Sequence, residues 1–307
     1  LLSQTRPFSM VMDTEVAPLD GTDQQTVRRQ NDGDISISYP SELTSAEYKS
    51  PVLGLVFLRF LDHKFALVQA QLEGQKSASS RRTIGKADYI AQGAIFLAEE
   101  SRYAHLLQLP EGSDLGRAVS DAMETIENEN PDLLGILPRD YSRVTNPTLA
   151  TLLRTVSEIP IDIEGDVFGR IYEYLLGKFA MAEGQNGGEF YTPTSLTKLI
   201  VEIIEPYSGR VLDPASGSAG MLVQSAEFVK RHERNLAELS IFGQENVAET
   251  VRLGNMNLAV NGLSADIRHG NTYYEDVHDS VGNFDFVMAN PPFNVTGVDK
   301  YQISDDP

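Results

Sequence analysis

Apolar residues recur at three- and four-residue spacing at Leu53, Val56, Phe57, Phe60, Leu61, Phe65 and Val68, which predicts a helix with a buried face. Residues 1–40 show no such period. Thr, Gln, Asp and Asn prevail there, and the stretch reads as a polar arm or loop without an assigned role. Beyond the helix, residues 71–86 turn polar, and Lys76, Arg81 and Arg82 stand among Ser and Gly in what reads as a solvated loop. Helical spacing returns around Leu115 to Ile126 and Leu149 to Val156, with Asn-Pro and Pro-Asp turns between. Residues 41–163 are therefore expected to form an all-helical domain.

A helix is expected around Val167 to Lys178, then a loop from Glu183 to Gly188 carrying three glycines. The following segment is Glu189, Phe190, Tyr191, Thr192, Pro193 and Thr194. Here Thr192 suits an N-cap and Pro193 the first helical position, with Leu196, Leu199, Ile200, Ile203 and Ile204 as the buried face. From Arg210 the pattern alternates. Short apolar runs at Val211 to Leu212, Leu239 to Phe242, Ala265 to Arg268 and Asp285 to Met288 read as strands, with helices at Gly220 to His232 and Asn246 to Val260. This alternation predicts an α/β fold for residues 164–307, a doubly wound, Rossmann-like parallel sheet that binds ligands at the carboxyl ends of its strands.

Each strand end carries a chemical group. The first turn contains Asp213, Ser216, Gly217, Ser218, Ala219 and Gly220, small residues that let the backbone approach a ligand before a helix N-terminus. It lacks the spaced glycines of dinucleotide folds, and its acid suits a cationic group better than a pyrophosphate. Glu245 ends the second strand, where a carboxylate can accept both hydroxyls of a ribose. Asn271 follows the third, placed for an adenine edge. The fourth runs into Asn290, Pro291, Pro292 and Phe293. The prolines fix φ and remove two backbone donors, so the Asn290 side-chain oxygen and the Pro291 carbonyl can hold one planar amino group while Phe293 offers a stacking face.

Composition narrows the class. With 41% hydrophobic and 22% charged residues in 307, the chain suits a globular protein of two domains. Its longest apolar stretch, Pro51 to Leu61, is too short for a bilayer and is broken by Arg59, and no signal peptide precedes it, so a cytoplasmic location is expected without membrane partners. Zero cysteines and five scattered histidines predict no metal site. A formal charge of −19 opposes unaided DNA binding, because Lys and Arg supply most phosphate affinity.

On these residues the chain resembles the amino-methyltransferases that use S-adenosyl-L-methionine, specifically the modification subunit of type I restriction-modification systems. Residues 213–220 match the family's donor motif and 290–293 its catalytic motif, while 189–194 is similar to the segment that packs over the donor's methionine end. Ala46 to Phe60 is similar to the start of the family's helical N-terminal domain. The resemblance implies adenine-N6 DNA methylation, with DNA read by a separate specificity subunit. A second modification subunit and motor-nuclease restriction subunits would complete the assembly. Three departures stand out: residues 1–40 match nothing in the family, the family more often has Asp at the position of Asn271, and its sheet continues with further strands and a C-terminal helical region. A fragment or an ordered subset of a longer chain is therefore expected. Methylation of protein glutamine or RNA, and a non-catalytic scaffold of a defence complex, are the rival readings.

Overall fold

In the computed structural model the described residues are 10–11, 35–36, 45–75, 84–159, 167–182, 191–293, 295, 297–299 and 301. Lys76, Arg81, Arg82, the loop from Glu183 to Gly188, Glu189 and Phe190 lie outside them. In the region read as a polar arm, β1 (Met10–Val11) pairs in parallel with β2 (Ile35–Ser36). No helix among the described residues is long and apolar enough to cross a membrane.

The predicted first helix is α1 (Ser45–Gly74), which runs into the segment expected as a loop. Val52, Leu53, Leu55, Val56, Phe57 and Leu58 have no solvent exposure. Apolar residues on every side make its first half a central rod rather than an amphipathic surface helix. Short helices α2 (Lys86–Ala91) and α3 (Tyr103–Leu107) and the longer α4 (Leu115–Glu129), α5 (Asn146–Ser157) and α6 (Val167–Ala182) complete the helical part. One core gathers α1, Met123 and Ile126 of α4, Leu152 and Leu153 of α5, and Tyr172 and Phe179 of α6.

Gly54 lets α1 sit flush against the loop that follows α4. A Cβ there would lie 2.3 Å from Pro138 Cγ and 2.4 Å from the Tyr141 hydroxyl. Alanine in a helix interior normally gains about 1 kcal/mol over glycine. Overpacking a rigid proline costs about 1–3 kcal/mol and occasionally more. The clash wins, so Gly54→Ala should lower the Tm in thermal denaturation, and an unchanged or raised Tm would refute this packing.

The carboxyl-terminal part begins with α7 (Thr194–Ile204) and continues with β3 (Gly209–Asp213), α8 (Gly220–Arg231), β4 (Leu239–Glu245), α9 (Ala248–Val260), β5 (Asp266–His269) and β6 (Phe286–Val287). All four of these strands are parallel in the order β5-β4-β3-β6, with Leu212 facing Phe242 on one side and Val287 on the other. The chain steps outward through α8 and α9, then returns to the far side of β3. That reversal lies between β3 and β6, and sheets of this kind bind ligands beyond the carboxyl ends of the strands at such a point.

The face expected for α7 is corrected. Thr197 and Val201 are buried, with Ile200 and Ile204 packed beside that core, whereas Leu196, Leu199 and Ile203 are exposed. Contact with α8 sets the rotation of the helix, and an apolar stripe wider than the contact leaves its flank outside. The helical and sheet parts share one core, because Leu253, Met256 and Val260 of α9 pack into the α1–α6 cluster.

Candidate active site

Asp213 ends β3 fully buried. Its Oδ1 accepts from the Ala215 N–H at 3.0 Å, while Oδ2 has no hydrogen-bond partner. Burial pushes its pKa up to about 7; the Ala215 N–H opposes the rise and the Glu245 charge adds to it. Ser216 Oγ, in the same turn, is also buried without a partner. Buried polar atoms are rarely left so, and two in one loop mark a place that a polar or cationic ligand would complete.

The turn is held from several sides. Gly217 (φ +51°) and Ala219 (φ +63°) both take left-handed backbone, which for alanine is strained. Ser216 N donates to Gln244 O at 2.9 Å and Ala219 N to Ser216 O at 2.8 Å, and α8 starts at Gly220. Glu245 does much of the clamping. Its Oε2 accepts from Gly217 N at 3.0 Å and its Oε1 from Val247 N at 2.8 Å. Burial raises the Glu245 pKa against these hydrogen bonds, which favour the ionised form.

Sequence reasoning missed three supports of this loop. A Cβ on Gly243 would meet Ser216 at 3.0 Å, and one on Gly254 would lie 3.2 Å from Gly217 O. Asn257 Nδ2 donates to the Ser218 carbonyl at 2.9 Å. An isolated glycine inside a strand or helix was the available signal, since it marks a close approach of another backbone.

Asn271 closes its own turn: Oδ1 accepts from Tyr273 N at 3.0 Å. The side-chain Nδ2 points the other way along the amide fork. Next to it, Thr272 Oγ1 donates to Pro214 O, tying the third strand end to the first.

Met288 N donates to Leu212 O at 3.0 Å, so residue 288 is level with the end of β3 and Asn290 lies two residues beyond. Asn290 is half-buried, and its Nδ2 donates to Thr192 Oγ1 at 3.0 Å. Pro291 and Pro292 are exposed and Phe293 is 80% exposed, so its ring is bare.

The segment 191–194 reaches Asn290 by a route the sequence did not indicate. Thr192 is not the N-cap of α7. Leu196 N and Thr197 N both donate to Pro193 O, which makes Pro193 the cap and frees the Thr192 hydroxyl for Asn290. Tyr191 packs toward the helical core, its hydroxyl 3.0 Å from where a Cβ on Gly177 of α6 would stand. Thr194 Oγ1 donates to Glu173 Oε2 at 3.3 Å.

Comparisons with known proteins show what the chain as a whole is similar to. Residues 41–157 match the family model described as the HsdM N-terminal domain, and 163–307 match N-6 DNA Methylase. The chain is 37% identical over 280 residues to the type I restriction enzyme MjaIX methylase subunit of Methanocaldococcus jannaschii, covering 85% of this chain and 50% of that protein. Identity is also 37%, over 217 residues, to the HindI methylase subunit of Haemophilus influenzae, covering 65% and 49%. The chain thus spans about half the length of the curated relatives it matches. Among solved structures, a type I restriction-modification methyltransferase subunit from Streptococcus thermophilus shares the fold, with TM-score 0.70 and 22% identity over 87% of this chain and 63% of that one.

Proposed function

This chain belongs to the N-6 DNA methylase family, with an HsdM N-terminal domain preceding the methylase region, and on that premise we propose that it transfers methyl to adenine N6 in DNA as the modification subunit of a type I restriction-modification system. One observation carries the reading: a half-buried Asn290 lies at the sheet reversal, just past a buried Asp213 whose outer oxygen has no partner. Acceptor-holding and donor-holding groups there stand on neighbouring strands.

The residues present fit S-adenosyl-L-methionine. Asp213 Oδ2 is an anionic acceptor for the donor's amino group, held dry by the turn around it. Glu245 accepts backbone N–H bonds from Gly217, Val247 and Asn246, and a carboxylate offers about four lone-pair sites, so capacity remains for a ribose hydroxyl. Asn271 Nδ2 can donate to an adenine ring nitrogen. Bound there, the donor supplies an electrophilic methyl group.

At the acceptor side, Asn290 Oδ1 and the Pro291 carbonyl accept the two N–H bonds of the target amino group and draw its lone pair out of conjugation. Phe293 stacks the extruded base, and stacking of this kind is worth about 1–3 kcal/mol. The charge of −19 leaves phosphate neutralisation to a specificity subunit, and a second modification subunit and a motor-nuclease subunit fit the same assembly.

Labelled S-adenosyl-L-methionine, DNA and the full-length protein test the reading, with and without its specificity partner. Label recovered as N6-methyladenine, and only with the partner, is the expected result. Label on protein or RNA, or none despite donor binding, would overturn it.

A further inference from the structure

We infer that the Thr192 hydroxyl anchors the Asn290 amide while its oxygen serves the substrate, making Thr192 a positioning residue for methyl transfer; this rests on the proposed role of Asn290 in holding the acceptor nitrogen. An asparagine side chain has one acceptor oxygen and one donor nitrogen, and rotation by half a turn exchanges them with little intrinsic preference. Only the oxygen can accept from an amino group. With Nδ2 donating to Thr192 Oγ1 at 3.0 Å, Oδ1 is turned away from Thr192 and available to a substrate. The opposite rotamer would present two N–H bonds to an amino group that itself donates; the Thr192 hydroxyl can serve either rotamer, so the substrate's N–H donors select the one in which Nδ2 needs Thr192 as its acceptor.

Thr192 is well fixed for this task. Tyr191 before it is packed on Gly177 of α6, and Pro193 after it is locked by its ring and by two N–H bonds from α7. The Thr192 carbonyl lies 4.0 Å from the position of a Cβ on Gly220, at the start of α8. Its neighbours are thus fixed on α6 and α7, and its β-branched side chain has few χ1 choices. Asn290 has no regular element of its own: it follows the two-residue strand β6 in an extended segment.

The test uses the full-length protein with its specificity partner, as Thr192→Val and Thr192→Ser. Valine keeps the branching and removes the acceptor. The kcat should fall about tenfold, the worth of one neutral hydrogen bond, with KM for DNA and the donor Kd within twofold of the parent. Serine should restore most of the rate. The Asn290 side-chain amide resonances, assigned through Asn290→Ala, should shift in the valine protein and return in the serine protein. Unmoved resonances, an unchanged kcat, or a donor affinity that falls with kcat would overturn the inference. A parent protein that transfers no methyl, yet shows the resonance shift, would overturn the proposed activity and leave the positioning contact standing.

Discussion

Asn290→Ala should cut methyl transfer on the order of 1000-fold while leaving donor affinity within about twofold. Removing one preorganised group that stabilises developing charge costs roughly 100- to 1000-fold in rate, and alanine here removes the acceptor nearest the reacting nitrogen. The fold should tolerate the change. Asn290 is half-buried, with one side-chain hydrogen bond to Thr192, worth about 1 kcal/mol net. Single-turnover transfer and calorimetric donor titration separate the two quantities. A parallel collapse of donor affinity would show that Asn290 belongs to the donor pocket.

Asp213→Asn should weaken S-adenosyl-L-methionine binding on the order of 100-fold and yet raise the Tm above neutral pH. Burial lifts the Asp213 pKa to about 7 from an ordinary 3.8. Between about pH 4 and 7 the folded protein holds a proton that the unfolded chain has released, so stability falls as pH rises through that window. Above pH 7 the penalty is complete, on the order of 4 kcal/mol by linkage. Asparagine carries no charge and avoids it, so the Tm gain should be present at pH 8 and vanish near pH 4.

Donor binding runs in the opposite sense. A cation favours the ionised carboxylate, so donor affinity should increase about tenfold between pH 6 and 8, with proton release visible by calorimetry in buffers of different ionisation enthalpy. The 100-fold loss follows from removing one partner of a buried charge pair. A pH-independent donor affinity, or an asparagine protein that binds the donor normally, would remove Asp213 from the site.

Much of this architecture was legible from residue spacing. The α1 pattern, the strand–helix alternation after Arg210 and the small-residue turn at 213–220 correspond to observed elements, because each rests on local periodicity or turn chemistry. What escaped depends on distant partners. Helices α2 and α3 have six and five residues, too few to be stable alone, and they form only against the core that holds Tyr89 and Tyr103. The buried face of α7 could not be assigned, since apolar residues cover more of its surface than α8 does. Thr192 read as a cap because Ser and Thr before proline often are; the hydroxyl instead meets a residue 98 positions away. Glu245 shows the same limit. Its strand-end placement was readable, but not the grip of its carboxylate on Gly217 and Val247.

The shared core of α6 and α9 makes the two parts a lever and its load. Helix α9 begins three residues after Glu245, and its far half is embedded among Tyr172, Leu175 and Phe179 of α6. Among the described residues, helix α9 is thus the one element that both packs in the helical bundle and starts beside the clamp on the glycine turn. A protein that grips the bundle has a mechanical handle on the chemistry without touching it. Separating the chain before residue 167 from the remainder would bare the apolar face of α1 that packs on α6 and α9, and the faces of those two helices with it.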